Sequence, residues 1–368
     1  MVRFAVPGRV VNGDEKVYHE VATMRFVKEK TSIPVPVIIA WGRSHENPLG
    51  LGAFIIMTFI EAVYLDTVLR QGRPGEEEDH TLRSDISDKE LETIYRQIAN
   101  FLLDLSVHDL PRIGSLVVDS RPLTLKINEI ESHGGVRVGG PVSQTFSSAT
   151  SYFDDLSEQD MQHLLEQPNS VDHMEDARRK FLYNRRFKII LPFGVDGRHD
   201  RGPFKLVCDG FRFSNLLVNN AQDLKVVAVL DWEWSYAAPF QMLYSPPRWL
   251  LLKKPFDWND VDVSRYCDLL RVIRSMEDGM FWFHELIYSC FESPDSRAWI
   301  NIRRLIPGFD GCMPILAAGV QDLVKSKMKQ LEQYNLEWAA MKEEIDKKEA
   351  EFQALKARVE EDFGQKLE

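Results

Sequence analysis

Two side chains that could bind a divalent cation stand at the two ends of a predicted β-hairpin. Asn215 precedes a short apolar run at 216–218, and Asp231 directly follows a second apolar run at 224–230. The residues between the runs, 219–223, are polar and of types that are common in turns. Because the strands of a hairpin lie side by side, we expect the amide and the carboxylate to lie close in space. Oxygen atoms of these two kinds are ligands that Mg²⁺ accepts in proteins.

The stretch around this hairpin resembles the aminoglycoside phosphotransferase family, which consists of small-molecule kinases with a protein-kinase-like fold. The catalytic loop of that family reads His-x-Asp-x-x-x-x-Asn, and an Ile-Asp-Trp/Phe-Glu segment follows it. In this chain the loop is 208–215 (CDGFRFSN), and the later segment is 230–233 (LDWE). The resemblance implies that Asn215 and Asp231 hold Mg²⁺ against the phosphates of ATP.

The loop departs from the family at its catalytic residue. Gly210 stands where the family has an aspartate, and Asp209 lies one position earlier. Loss of a general base typically lowers a rate by about 10²- to 10⁴-fold. The dissociative transition state of phosphoryl transfer nevertheless needs little activation of the nucleophile, and Asp209 could take over part of the role if the glycine turns it inward. The resemblance therefore implies an impaired ATP-dependent phosphoryl transfer to a small-molecule hydroxyl. The alternative is a pseudokinase-like binding protein without catalysis.

The first helix predicted by the sequence carries an acidic residue on its buried side. Within 14–30, the apolar positions repeat at spacings of three and four: Val17, Val21, Met24 and Val27. Glu20 lies on the same side, and an inward acid needs a partner. In the kinase plan, a basic residue on a strand pairs with a glutamate on the following helix. The resemblance gives these roles to Arg3 and Glu20, and an ordinary salt bridge at the surface is the alternative.

The run 54–60 predicts a continuous buried strand that ends at the polar Glu61. By resemblance, the backbone around Met57, Phe59 and Ile60 is the hinge that would bind adenine. A core strand without any ligand explains the same residues. The chain starts at the strand that corresponds to the third of the family, so we expect a truncated small lobe. Either the gene model is truncated, or part of the nucleotide pocket has been lost.

Composition restricts the class of protein. The 368 residues are 44% hydrophobic and 27% charged, which is enough for two lobes with their own cores. A net charge of −11 argues against a general nucleic-acid binder. The first residues lack a signal-peptide core, no run reaches membrane-spanning length, and the four cysteines have no C-x-x-C spacing. We therefore expect a cytoplasmic protein that binds neither nucleic acid nor membrane.

The predicted fold is α+β, bilobal and protein-kinase-like. A truncated small lobe and the hinge occupy 1–65, and a mostly helical large lobe occupies 66–320 and carries the catalytic hairpin within 204–239. A charged helix fills 321–368. Its apolar residues follow a three-four repeat that is interrupted at Lys348, so the helix could dock on the lobe or associate with a second chain.

Shorter patterns give local predictions. Ser87 and a glutamate three residues later predict a capping box at a helix start. The acidic stretch 70–86 predicts a linker or a solvated edge. The Gly- and Ser-rich stretch 131–151 predicts a loop, and 153–190 predicts helix. A pair of amphipathic helices is predicted for 262–289.

The residues beside the predicted metal acid bear on the acceptor. Trp232, Glu233 and Trp234 could hold a cationic small molecule such as an amine, through cation–π and charge attraction. Alternation along a strand explains the same pattern without a ligand. Cys208 replaces the histidine of the family, and we expect it to be a small packed hydrophobe rather than a nucleophile.

Overall fold

A computed structural model describes residues 1–6, 8–70, 83, 85–244, 279–289, 297–306 and 318–364. Within these ranges, small antiparallel sheets combine with long helices, which confirms the predicted α+β class. Most of the linker predicted for 70–86 and the first part of the helix pair predicted for 262–289 lie outside the described residues.

The first sheet packs against one long helix. The strands β1 (Val2–Phe4), β2 (Ile38–Gly42) and β3 (Phe54–Met57) pair antiparallel, with β3 in the middle. Helix α1 (Gly13–Lys30) buries its predicted apolar positions Val17, Val21, Met24 and Val27. Burial of each such side chain is worth roughly 2 kcal/mol. The rotation of α1 that this burial fixes also directs Glu20 inward, where it is 1% exposed.

The strand prediction for 54–60 was wrong at its C-terminal end. Strand β3 stops at Met57, its residues alternate between buried and half-buried, and Phe59 is 73% exposed. A strand of this sheet has one face against α1 and the other face more open, so alternation replaces the continuous burial of a central strand.

The predicted hairpin forms from strands β6 (Leu216–Val218) and β7 (Val226–Val229), which pair antiparallel. A short strand, β4 (Val63–Tyr64), pairs with the other edge of β6. Strand β5 (Lys205–Cys208) leads into the loop before the hairpin. It pairs with β8 (Ser235–Ala238), the strand that comes after the hairpin. The loop and the acid-bearing segment are therefore held between two pairs of strands.

A glutamine from a helix fixes where the second hairpin strand begins. Gln97 donates from Nε2 to the carbonyl of Leu224 (2.9 Å) and accepts at Oε1 from the amide of Val226 (2.8 Å). Leu224 has a left-handed backbone (φ 53°), which a strand residue does not adopt. The strand therefore begins at Val226 rather than at the start of the apolar run.

The remaining described elements are helices. They are α2 (Leu65–Leu69), α3 (Asp88–Ser106), α4 (Leu125–Gly134), α5 (Ala149–Glu166), α6 (Met174–Gly194), α7 (Met280–Ser289), α8 (Arg297–Leu305) and α9 (Val320–Gly364). Ser87 and Glu90 form the predicted capping box of α3. The loop predicted for 131–151 was wrong at both ends, because α4 continues to Gly134 and α5 begins at Ala149, with Ser148 as its cap. The helical stretch predicted for 153–190 is divided between α5 and α6.

Two apolar cores organise these elements. One core joins α1, the first sheet and α3 to the hairpin, and its largest fully buried side chain is Trp232. The second core lies mainly among α5, α6, α7 and α8. Helix α9 begins on the large lobe, where Leu323 and Val324 pack with Leu164 and Phe181. Of the helices that the structure describes, none combines the length and the apolar composition needed to cross a membrane.

Candidate functional site

Arg3 is at the centre of a cluster of charged side chains. Its Nη1 donates to Oε1 of Glu20 (2.7 Å), and its Nη2 donates to Oε2 of Glu233 (2.8 Å). The same Nη2 also donates to the carboxylate of Asp231. Lys16 contacts Glu233 as a second cation. Three carboxylates and two cations thus meet at the point where the first sheet faces the hairpin.

Regular local structure explains how these groups come together. Lys16 and Glu20 are four residues apart on α1 and therefore share one face of the helix. Asp231 and Glu233 lie in the short link between β7 and β8, where both carboxylates contact Arg3 and Trp232 between them packs into the core. The indole of Trp232 donates to the carbonyl of Val229 (3.1 Å).

Asn215 and Asp231 lie together, as the hairpin predicts. Nδ2 of Asn215 donates to Oδ2 of Asp231 (3.4 Å) and to the carbonyl of Gly210 (2.8 Å). The backbone carbonyl of Asn215 accepts from the amide of Leu230 (2.8 Å). Asp231 itself has a left-handed backbone (φ 63°), a conformation that is costly for a residue with a side chain and is concentrated at functional sites. This turn aims the carboxylate back at Asn215 and Arg3.

Burial and charge shift the pKa values of the cluster. Burial raises the pKa of Glu20, and Arg3 and Lys16 partly oppose that effect. Burial and the neighbouring Asp231 raise the pKa of Glu233 to about 7. Burial disfavours the charged form of Arg3, but the carboxylates of Glu20, Asp231 and Glu233 outweigh burial and raise its pKa. The positive charge of Arg3 therefore favours the ionised forms of Glu20 and Glu233, against the effect of their burial.

The donor set has the chemistry of a divalent cation site. Glu20, Asp231 and Glu233 each offer a carboxylate oxygen, and the three oxygens lie within 4.8 Å of one another. The amide of Asn215 presents its nitrogen to Asp231, and a half-turn about its last bond would present its oxygen instead. Because Arg3 already contacts all three carboxylates, a metal ion and this guanidinium would share the charge of Asp231. The residues fit Mg²⁺ by ligand type.

Asp209 belongs to a different set of contacts. Its carboxylate accepts from the hydroxyl of Tyr236 (3.3 Å) and from the amide of Leu125 at the start of α4 (3.4 Å). Burial raises its pKa to about 7, and both of these hydrogen bonds act in the opposite direction. The described hydrogen bonds of Asp209 thus connect it to α4 and β8 rather than to Asn215 or Asp231.

A side chain at Gly210 would fit closely against its neighbours. A Cβ atom at this position would lie 3.3 Å from the carbonyl oxygen of Asp231, 3.6 Å from Cδ1 of Trp234 and 3.8 Å from Sγ of Cys208. The first distance requires a shift of a few tenths of an ångström, and the other two are ordinary contacts. An aspartate here would therefore stand beside the backbone of Asp231.

The predicted hinge is partly engaged by the chain itself. The amide of Met57 donates to the carbonyl of Met1 (3.0 Å), and the amide of Thr58 donates to the carbonyl of Val37 (2.9 Å). In the part of the chain that the structure describes, no backbone hydrogen bond reaches Phe59 or Ile60. The backbone groups that could contact a ligand are therefore those of Phe59 and Ile60 rather than the amide of Met57.

The aromatic residues predicted as a cation site face the protein interior. Trp232 is fully buried, Trp234 is 5% exposed, and Glu233 is paired with Arg3 and Lys16. The ammonium of Lys16 lies 5.9 Å from the ring centroid of Trp234. The burial of both rings favours the alternative, packing without a ligand, over a site for a cationic acceptor, and the nearby cation is a residue of the chain.

Cys208 faces the backbone of the same segment. Its Sγ lies 4.0 Å from the carbonyl oxygen of Asp231, and burial raises the pKa of the thiol to about 12. A thiol with so high a pKa supplies almost no thiolate at neutral pH, which agrees with a packing role.

Sequence reasoning missed Lys16 and Tyr236. Lys16 had a readable signal, since it lies one helical turn before the inward Glu20 on the same face of α1. Tyr236 had none, because its contact with Asp209 depends on how β5 pairs with β8.

No family model matches the chain, and no curated protein matches it. Among solved structures, the chain is similar to a Ralstonia eutropha protein whose assignment as an aminoglycoside phosphotransferase is provisional. That match has 14% identity, a TM-score of 0.43, and coverage of 87% of this chain and 84% of the other. It is similar to APH(4)-Ia in complex with AMP-PNP and hygromycin B (13% identity, TM-score 0.42, coverage 84% and 83%). It is also similar to APH(2″)-IIIa in complex with GDP and kanamycin (13% identity, TM-score 0.40, coverage 91% and 86%). The chain is thus similar in structure to aminoglycoside phosphotransferases, the family that its sequence resembles.

Proposed function

We propose that the chain binds a nucleoside triphosphate with Mg²⁺ at the Arg3 cluster and is an impaired ATP-dependent phosphotransferase that acts on a small-molecule hydroxyl. The observation that carries this proposal is the contact of one guanidinium with Glu20 of α1 and Asp231 of the hairpin. A basic group held by a helix glutamate beside a metal-binding acid is the arrangement that phosphoryl transfer uses.

The proposed roles follow from the contacts. Asn215 and Asp231 hold the metal ion, which when bound neutralises the phosphates. Glu20 keeps the guanidinium of Arg3 extended toward the same point, so that Arg3 can bind a phosphate oxygen in the bidentate manner that suits it. Phe59 and Ile60, whose backbone groups are open among the described residues, receive the base.

Catalysis is the weak part of this arrangement. Gly210 supplies no carboxylate, and the carboxylate of Asp209 is held by Tyr236 and Leu125. A base with a pKa near 7 is well suited to accept a proton, but it must first reach the acceptor hydroxyl. We therefore propose slow transfer, and a pseudokinase-like binding protein of the cytoplasm is the second candidate. The lack of a carboxylate at position 210 is the observation that favours this candidate.

Thermal stability in the presence of nucleotide tests the binding step. Mg·ATP should raise the Tm of the wild-type chain, because a ligand that binds only the folded state stabilises it by mass action. Asn215→Ala should remove most of the effect of Mg²⁺, whereas Asn335→Ala, a change in the exposed part of α9, should leave it intact. The absence of any shift at millimolar Mg·ATP would reject a nucleotide-dependent role.

Restoring the missing carboxylate tests the catalytic step. Gly210→Asp places a side chain where the neighbouring atoms leave space for a Cβ, and ATP turnover should be followed with amino-alcohol and aminoglycoside acceptors. Gly210→Ala is the matched control for the added bulk. Turnover that rises only in Gly210→Asp supports a kinase scaffold that lost its base. Equal turnover in all three proteins would show that position 210 has no catalytic role.

A further inference from the structure

The last part of α9 projects from the lobe as a helix with an exposed apolar stripe. Five side chains of this stripe are about half exposed: Trp338 (47%), Met341 (53%), Ile345 (46%), Phe352 (62%) and Leu355 (58%). From Glu332 to Gly364 this part spans roughly 50 Å at the rise of an α-helix. In proteins most of the stability of a helix comes from packing of its apolar face, so an exposed apolar stripe along this helix indicates a partner.

The stripe has the spacing of a coiled coil. Leu331, Trp338, Ile345 and Phe352 repeat every seven residues, and Tyr334, Met341, Lys348 and Leu355 repeat three positions later. These are the a and d positions of successive heptads. The same stripe begins on the lobe, where Val324 is buried in contact with the large lobe and Leu331 is partly buried. The seam that docks at its start therefore continues beyond the lobe with nothing described against it.

Charges beside the seam indicate which partner fits. The g positions are Glu337, Glu344 and Glu351. The e positions are Lys342, Glu349 and Lys356. In a parallel pair of identical helices, each g residue faces the e residue five positions later on the other chain. Glu337 then meets Lys342, and Glu351 meets Lys356. In an antiparallel pair, g faces g, so that glutamates would oppose glutamates.

Lys348 interrupts the apolar seam and also contributes to its charge pattern. Its ammonium contacts Oε1 of Glu344 on the same helix (2.6 Å). In the parallel pair Lys348 stands next to Glu349 of the other chain. Glu349 faces Glu344 across the pair, and this is the one facing g and e pair of 337–356 in which both residues are acidic. A polar residue at a single core position fixes register at a cost in stability.

We propose that residues 332–356 form a parallel, two-stranded coiled coil with a second copy of this chain. The two copies are then related by a two-fold axis along the coil, which leaves both lobes at the same end. This interface does not depend on the nucleotide site, because the seam and the Arg3 cluster share no residues.

Sedimentation equilibrium of the full-length chain over a wide concentration range tests this proposal. The wild-type chain should pass from the monomer mass to twice that mass. Ile345→Glu should weaken the dimer by at least tenfold, whereas Ala350→Glu, which places the same residue at an exposed position off the seam, should change it little. Circular dichroism at high dilution must show the same helix content for Ile345→Glu and Ala350→Glu, so that the two variants differ in association and not in folding.

Two further variants make the outcome sharper. Lys348→Leu should tighten the dimer, which a change that merely damages folding cannot do. Glu337→Lys should weaken it, and adding Lys342→Glu should restore it. A chain that stays monomeric at every concentration overturns the proposal. The seam would then either have no partner or bind a different protein. Equal weakening of the dimer by Ile345→Glu and Ala350→Glu would also overturn it. A tighter dimer in Glu337→Lys would overturn the parallel arrangement.

Discussion

The guanidinium of Arg3 binds the carboxylate of Asp231, which lies 228 positions later in the chain. This contact joins the first strand to the end of the hairpin, and Glu20 and Glu233 complete the cluster. Burying several charges costs free energy unless each is paired, so Arg3 is both a structural requirement and the group best placed for a phosphate.

Replacement of Arg3 by methionine should strongly destabilise the fold. Glu20 would be left buried with its nearest cation removed, and loss of one partner of a buried pair typically costs about 3–5 kcal/mol. Urea unfolding measures this loss. Lys30→Met, which breaks the exposed pair with Glu29, is the control and should change the free energy of unfolding little. Similar losses in the two variants would show that the cluster contributes no more than a surface pair.

The contact between Gln97 and the hairpin gives a second prediction. In Gln97→Ala the amide of the buried Val226 loses its acceptor, which should cost about 1–3 kcal/mol. Hydrogen exchange at that amide should become faster. Arg96→Ala, on the exposed face of the same helix, should leave both quantities near wild type. An unchanged exchange rate at the amide of Val226 would contradict the hydrogen bond from this amide to Gln97.

The raised pKa of Asp209 predicts a pH-dependent stability. An acid whose pKa rises on folding is disfavoured as an anion in the folded state, so its contribution is lost as pH increases from about 4, its unfolded value, to about 7. The free energy of unfolding should therefore fall across this window in the wild type relative to Asp209→Asn, with the two curves parallel above it. Denaturant unfolding at several pH values measures the difference.

An exposed acid provides the control for that titration. Glu343→Gln, which removes one exposed carboxylate on α9, is measured in parallel as the matched substitution. If Asp209→Asn and the wild type have parallel profiles from pH 4 to pH 7, the carboxyl of Asp209 has no raised pKa in the folded chain.

Cys208 should resist alkylation in the folded protein. Burial raises its pKa to about 12, so the reactive thiolate is scarce at pH 8. Mass spectrometry of the peptide that contains Cys208, after brief treatment with iodoacetamide, should show little label in the native chain and full label in urea. Rapid native labelling would identify an accessible thiolate and would contradict a packing role.

The hairpin and the Arg3–Glu20 pair were predictable because they depend on local patterns. Turn residues between two apolar runs bring Asn215 to Asp231, and helical periodicity places Glu20 on the inner face of α1. The extent of burial was harder to predict, since Phe59 belongs to the run 54–60 and yet is 73% exposed, two residues after β3 ends.

Other features depend on contacts between distant segments. Gln97 fixes the start of β7, and the hydroxyl of Tyr236 and the backbone amide of Leu125 hold Asp209. No spacing in the sequence brings these groups together. The aromatic residues after Asp231 suggested a ligand site, but the link between β7 and β8 that carries them turns Trp232 into the core. Periodicity predicts which face of a helix or strand is buried. Which residues pack against that face depends on the tertiary structure.

Calorimetric titration of ATP, with and without Mg²⁺, tests the central claim most directly. Binding to the wild-type chain should require Mg²⁺ and should be at least tenfold weaker in Asp231→Asn, a variant of nearly the same shape whose far-ultraviolet circular dichroism should match the wild type. No binding heat at millimolar Mg·ATP, or equal affinities in the two proteins, would contradict the assignment of Asp231 and its neighbours as a nucleotide-phosphate site.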